Sequence, residues 1–153
     1  MKKLLLILLT IGLFSCGNET FKEYHTFSDI LWHKSDIVKF DVNIETSGEY
    51  NIYLPLRYTY GCPYKSVPID IKFISPSGKE QTISKEIKIM DENNKYIGEG
   101  AGDIWDTEEL IAENYKFDEK GKYKVEISQI SSEETLAFIM EVGLRIEPKK
   151  TNK

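Results

Sequence analysis

The chain has 153 residues, 20 basic against 25 acidic for a formal net charge of −5, and 41% of it is hydrophobic. That is enough for one domain with a core of its own. The acidic balance argues against nucleic acid as a partner and against electrostatic adhesion to anionic lipid.

Met1-Lys2-Lys3 leads into an apolar run, Leu4 to Phe14, interrupted only by Thr10 and Gly12 and followed by Ser15-Cys16. A helix needs about 20 residues to cross a ~30 Å hydrocarbon core, so this run is too short to span it. It fits the apolar region of a cleaved signal. A small residue directly before a cysteine makes residues 1–15 a bacterial lipoprotein signal, although Phe14 is bulkier than usual at its position. Cys16 is then the lipidation site, with diacylglycerol on its thiol and a further acyl chain on its freed amine. Several chains anchor a protein stably where one is marginal. Residues 16–26 read as the lipidated cysteine and a polar tether, residues 27–148 as the folded domain, and residues 149–153 as a tail. Lipidation of Cys16 leaves Cys62 with no internal disulfide partner. Set between Gly61 and Pro63, Cys62 is expected to be a half-buried small hydrophobe, because no lysine or histidine within two residues lowers its pKa.

From Ile37 onward the dominant period is two. Val38, Phe40, Val42 and Ile44 form one face of a first strand, and Ile52, Leu54, Leu56, Tyr58 and Tyr60 one face of a second. Val67, Ile69, Ile71 and Phe73 follow, then weaker strands over 81–90 and 96–100. Tyr123, Val125 and Ile127 make a further strand, and 136–146 is expected to be the longest. Each puts one apolar face inward, as a strand in a two-layer sheet requires. Turn chemistry separates the runs at Ser75-Pro76-Ser77-Gly78-Lys79, at 91–94 and at 118–121. Pro55 and Pro68 are expected at an edge or a bulge, since proline donates nothing to a ladder. Only 107–114 reads as a helical turn or two. Seven to nine strands in a single domain give an all-β fold, an antiparallel β-sandwich of which the jelly roll is one form.

No catalytic set emerges. His25 and His33 lie close to the start of the domain and lack metal-pair spacing, and no histidine follows residue 33 to serve a triad. No cofactor is expected beyond the covalent lipid. Glu99, Asp103 and Asp106 are candidate calcium ligands in the glycine-rich segment 96–106, although calcium takes six to eight oxygens. Tyr53, Trp105 and Trp32 are candidate stacking platforms for a ligand. Tyr53 stands out because its parity sets it opposite Leu54 and Leu56, while Trp32 could equally plug the open end of the sandwich.

Several blocks together carry a family resemblance. They are the Leu13-Phe14-Ser15-Cys16 signal end, Trp32-His33-Lys34, Val38-Lys39-Phe40-Asp41, the segment 50–57, Pro63-Tyr64, Ser75-Pro76-Ser77-Gly78-Lys79, the segment 98–104 and Val142-Gly143-Leu144-Arg145-Ile146-Glu147. In these blocks and their spacing the chain resembles the GldH family, gliding motility lipoproteins of Bacteroidota, from signal to tail. Pro55, where a polar residue is expected, and Cys62 depart from the pattern. The resemblance implies a lipid-anchored, non-enzymatic component of the gliding machinery. Its partners would be other gliding motility lipoproteins and proteins of the type IX secretion apparatus, with a role in assembly or stability of envelope complexes. It brings no established catalytic or binding residues. Gly17 after Cys16 favours the outer membrane, and a single acidic residue near it, Glu19, favours the periplasmic face. The alternative from the residues alone is a glycan-binding surface lipoprotein.

Overall fold

A computed structural model describes residues 20–149; the expected signal, Cys16, the first tether residues and residues 150–153 lie outside the described residues. Eleven strands run in chain order: β1 Phe21–Thr26, β2 Leu31–His33, β3 Val38–Ile44, β4 Gly48–Thr59, β5 Ser66–Ile74, β6 Glu80–Lys88, β7 Glu99–Ala101, β8 Ile104–Phe117, β9 Gly121–Gln129, β10 Thr135–Ala137 and β11 Ile139–Pro148. The number exceeds the expected seven to nine because β2, β7 and β10 are three-residue pieces. One sheet has the order β1-β11-β4-β8-β7 and the other β3-β9-β5-β6, while β10 and β2 form a ribbon at one end. The eight long strands fall four to a sheet in jelly-roll order, with the first strand, β1, beside the last, β11.

The inward residues of both sheets meet in one core. Val38, Phe40, Val42 and Ile44 of β3 face Ile52, Leu54, Leu56 and Tyr58 of β4, with Val67, Ile69, Ile71 and Phe73 of β5 beside them. Burial of each such side chain contributes roughly 1.5–3 kcal/mol. Toward one end the core is aromatic: Phe117 lies 5.3 Å from Tyr50, 4.8 Å from Tyr115 and 4.9 Å from Tyr123. At the other, Trp32 is fully buried, stacked on Phe27 at 5.0 Å, and its indole N–H donates to the Asp36 carbonyl at 3.0 Å. The three expected turns are present, with Gly78 at φ 87° and Gly121 at φ 124°.

Five expectations are corrected. Residues 21–26, read as tether, form β1, paired with β11 from Phe21↔Ile146 to Thr26↔Glu141. Residues 107–114 are not helical but belong to β8, at 14 residues the longest strand, paired with β4. Pro55 sits on β4, between β11 and β8, rather than at an edge. The β4–β11 register runs to Tyr53↔Arg145 and resumes at Leu56↔Val142, so the proline, with no N–H, falls where the pairing lapses. The run 136–146 breaks at Phe138 (φ 68°), after which the register shifts, so Ile139 is buried and Phe138 is not. Tyr60, expected inward, is exposed because β4 ends at Thr59 and the chain turns through Gly61.

Candidate functional site

The outer face of the five-stranded sheet carries the most organised set of polar side chains. Strand parity turns Tyr53, Pro55 and Arg57 of β4 away from the core, because Ile52, Leu54, Leu56 and Tyr58 point into it. Registers then arrange three rungs across the face. The first carries Lys22, Arg145, Tyr53 and Leu110, the second Tyr24 with Gly143 and Pro55 with Glu108, and the third Thr26, Glu141, Arg57, Asp106 and Glu99.

Two arginines lock this face. Arg57 grips Asp106 through Nε (2.7 Å) and Nη2 (3.1 Å) and reaches Glu141 with Nη1 (3.1 Å). Arg145 grips Glu108 through Nε (2.9 Å) and Nη2 (2.7 Å) and Glu147 through Nη1 (2.8 Å). Its guanidinium also lies over the Tyr53 ring at 3.8 Å, and the Tyr53 hydroxyl donates to Glu147 at 2.9 Å. Such forked pairs fix geometry as well as charge. The hydrogen bond to Asp106 raises the pKa of Arg57, and that to Glu108 raises the pKa of Arg145. Burial, then the bond to Glu147, pushes the Tyr53 phenol up. Four carboxylates thus surround two cations, and the face is acidic with its cations already engaged.

Between the clamps an open trough of about 560 Å³ crosses the sheet from Tyr24, over Pro55 and Arg57, to Asp106, Glu108 and Glu99. Tyr24 is half exposed, and its ring lies against Gly143, where an added Cβ would stand 2.7 Å from Cδ1. Glycine inside a strand often marks such a close approach.

The sequence candidates fare unevenly against this geometry. Tyr53 is on the outer face as its parity required, but Arg145 covers its ring. Trp32 is buried in the core and offers no face to a ligand. Trp105 packs against Gly100 and, at 5.4 Å, Tyr96, on the core side, with its buried indole N–H lacking a partner. Of the three calcium candidates Glu99 and Asp106 are cross-strand neighbours, but Asp106 is engaged by Arg57, Asp103 sits in the β7–β8 turn where its carbonyl accepts from the Tyr60 amide at 2.7 Å, and no three metal-ligating side chains cluster among the described residues. Cys62 is fully buried rather than half-buried, and burial raises its thiol pKa. Sequence reading missed Tyr24, Arg145, Glu141 and Glu147, and singled out Asp106 as a calcium candidate rather than as the partner of Arg57. The alternation that turns Tyr53 outward also turns Arg57 outward, and that was the one available signal.

Comparison with known proteins adds to the geometry. Residues 19–146 match the GldH lipoprotein family. The chain is 32% identical to gliding motility lipoprotein GldH of Flavobacterium johnsoniae, with 95% of each chain covered. It is 31% identical to a gliding motility lipoprotein GldH homolog of Christiangramia forsetii, with 93% of each covered. A crystal structure from Sulfurospirillum deleyianum aligns with a TM-score of 0.41 and 18% identity, covering 86% of this chain and 99% of that one.

Proposed function

The chain belongs to the GldH lipoprotein family, and from that membership we propose that it is a lipid-anchored, non-enzymatic part of the gliding motility machinery. Acylated on Cys16 and held at the periplasmic face of the outer membrane, it supports assembly or stability of envelope complexes linked to type IX secretion. The observation that carries this reading is the near full-length match to relatives named for gliding motility. A shared membrane raises the local concentration of its partners, so a modest interface suffices.

The end of the sandwich around the β4–β5 loop supports a protein-binding role. Ile30, Tyr60, Ile104 and Phe138 all leave large apolar side chains in solvent there. Ile30 would stand opposite Phe138 on continuing the Leu31↔Ala137 register, and Phe138 packs on Gly61. Ile30 (φ 58°) and Phe138 (φ 68°) both hold left-handed backbone. That conformation is an outlier for a β-branched or bulky residue and costs of order 1–3 kcal/mol.

Deletion in a gliding host, complemented with the native gene or with Cys16→Ala, tests the proposal. Colony spreading should vanish on deletion, return with the native gene and stay absent with Cys16→Ala. Spreading that survives deletion would refute the motility role. Rescue by a Cys16→Ala protein recovered free of membrane would refute the need for the anchor.

A further inference from the structure

We propose that the trough on the outer face of the five-stranded sheet binds a neutral saccharide, stacked on Tyr24 and hydrogen-bonded by Arg57, Asp106 and Glu108. This goes beyond the motility reading and holds whether or not Cys16 is acylated. The trough volume of about 560 Å³ lies within the ~300–1,000 Å³ of ligand sites in general.

The floor supplies the platform. With Gly143 beneath it, the Tyr24 ring lies against the strand, and at 50% exposure it keeps apolar surface in water. Aromatic faces are the usual surface for the C–H side of a sugar ring. Of the aromatic residues singled out from sequence, Trp32 is buried, Tyr53 is covered by Arg145 and Trp105 is packed on the core side. Tyr24 is the ring that lines the trough.

The walls supply the polar complement. Asp106 and Glu108 accept hydrogen bonds, and Arg57 uses three of its five N–H groups on Asp106 and Glu141, leaving two. These groups are fixed by forked pairs before any ligand arrives, so little ordering is left for binding. An apolar partner would strip water from them without replacing its bonds. Sugar hydroxyls both donate and accept, and replace that water one bond for another. Glu99, Asp106 and Glu108 outnumber Arg57 along the trough, which disfavours an anionic ligand.

The test is an amide NMR titration of the full chain, held in a detergent without a sugar headgroup, with cellohexaose, xylohexaose, mannohexaose and laminarihexaose at millimolar concentration. At least one should shift amides at Tyr24, Arg57, Thr107 and Glu108, with an affinity that added salt leaves unchanged. Tyr24→Ala should weaken that binding roughly five- to tenfold and Tyr24→Phe by less than about twofold. Circular dichroism melts of both variants separate loss of binding from loss of fold, because a ring serving only to cover Gly143 would alter the melt and leave saccharide affinity intact. No response to any of the four sugars, shifts located elsewhere, or full affinity in a folded Tyr24→Ala protein would each overturn the proposal. So would a trough that responds to an envelope polypeptide but to no sugar.

Discussion

Arg145 shows how a single side chain organises this molecule. It ties β11 to β8 across β4 by bonding Glu108 and Glu147 and covering Tyr53. Its side chain is only 13% exposed, but Glu108 is 37% exposed, so solvent discounts part of the pairing. Arg145→Ala is therefore expected to cost about 1–3 kcal/mol in a urea titration. Lysine in its place should restore little of this, since an ammonium cannot make the forked contact. Tyr58 gives a second outcome. Its hydroxyl donates to the carbonyl of Ile97 (2.6 Å) with that of Ile89 at 3.2 Å, and burial pushes its pKa up to about 12, as it does for Tyr115. The unfolded phenols titrate near 10.0. Between pH 10 and 12 the unfolded chain has lost protons that the folded chain retains, so stability is intact below pH 10 and falls as pH rises through that window. Urea midpoints measured along an alkaline series, alongside tyrosinate absorbance, should show that fall. Tyr58→Phe should flatten it while costing about 1–2 kcal/mol at neutral pH, from the Ile97 carbonyl left unpaired; that of Ile89 keeps the Ile97 amide.

At the scale of elements, legibility followed periodicity. β3, β5 and β9 alternate cleanly and were readable, because one face of each is wholly core and the other solvent. The segment 107–114 was not: Glu108, Glu109, Leu110 and Ala112 are good helix formers, and β pairing with β4 overrides that preference. β1 was missed because residues 22–26 are exposed on an edge strand and show no alternation. The outer face was half legible. Parity gives Tyr53 and Arg57, but the partners of Arg57 lie 49 and 84 residues away, a distance set only by the sheet order. β8 also carries a device that local sequence hides. Its register with β4 shifts at Ile52, and Asn114 holds φ 57° with its amide bonded to the Asn51 side chain at 3.1 Å. Asparagine tolerates that backbone, whereas β-branched residues do not. Asn114→Val should cost about 1–2 kcal/mol and Asn114→Gly close to nothing. Equal losses in thermal melts of the two variants would show that the side chain, not the backbone, holds the bulge.

For the whole molecule, chain geometry sets an orientation. With Cys16 acylated, five peptide steps separate the anchor from Phe21, a reach of at most about 17 Å. Phe21 pairs with Ile146, which pairs with Ile52, and the seven residues from Ile52 to Thr59 advance roughly 23 Å toward the opposite end. The apolar cluster of Ile30, Tyr60, Ile104 and Phe138 lies at that far end. The β5–β6 and β8–β9 turns, joined by Ser77 and Glu119 at 2.7 Å, lie at the end nearer the anchor. With the strands upright on that anchor, the apolar cluster would stand off the membrane holding this protein, which is the arrangement the proposed docking of a protein partner requires. A photo-crosslinking amino acid placed at Lys120 in intact cells is expected to capture lipid or proteins embedded in the anchoring membrane, and one at Tyr60 to capture protein without lipid. The same probes in the Cys16→Ala protein should lose the lipid adduct at Lys120, since nothing then holds that end to the bilayer. Lipid adducts at Tyr60 in the acylated protein would mean that the domain lies on its side or inserts its apolar end, and the far-side docking of a partner would have to be abandoned.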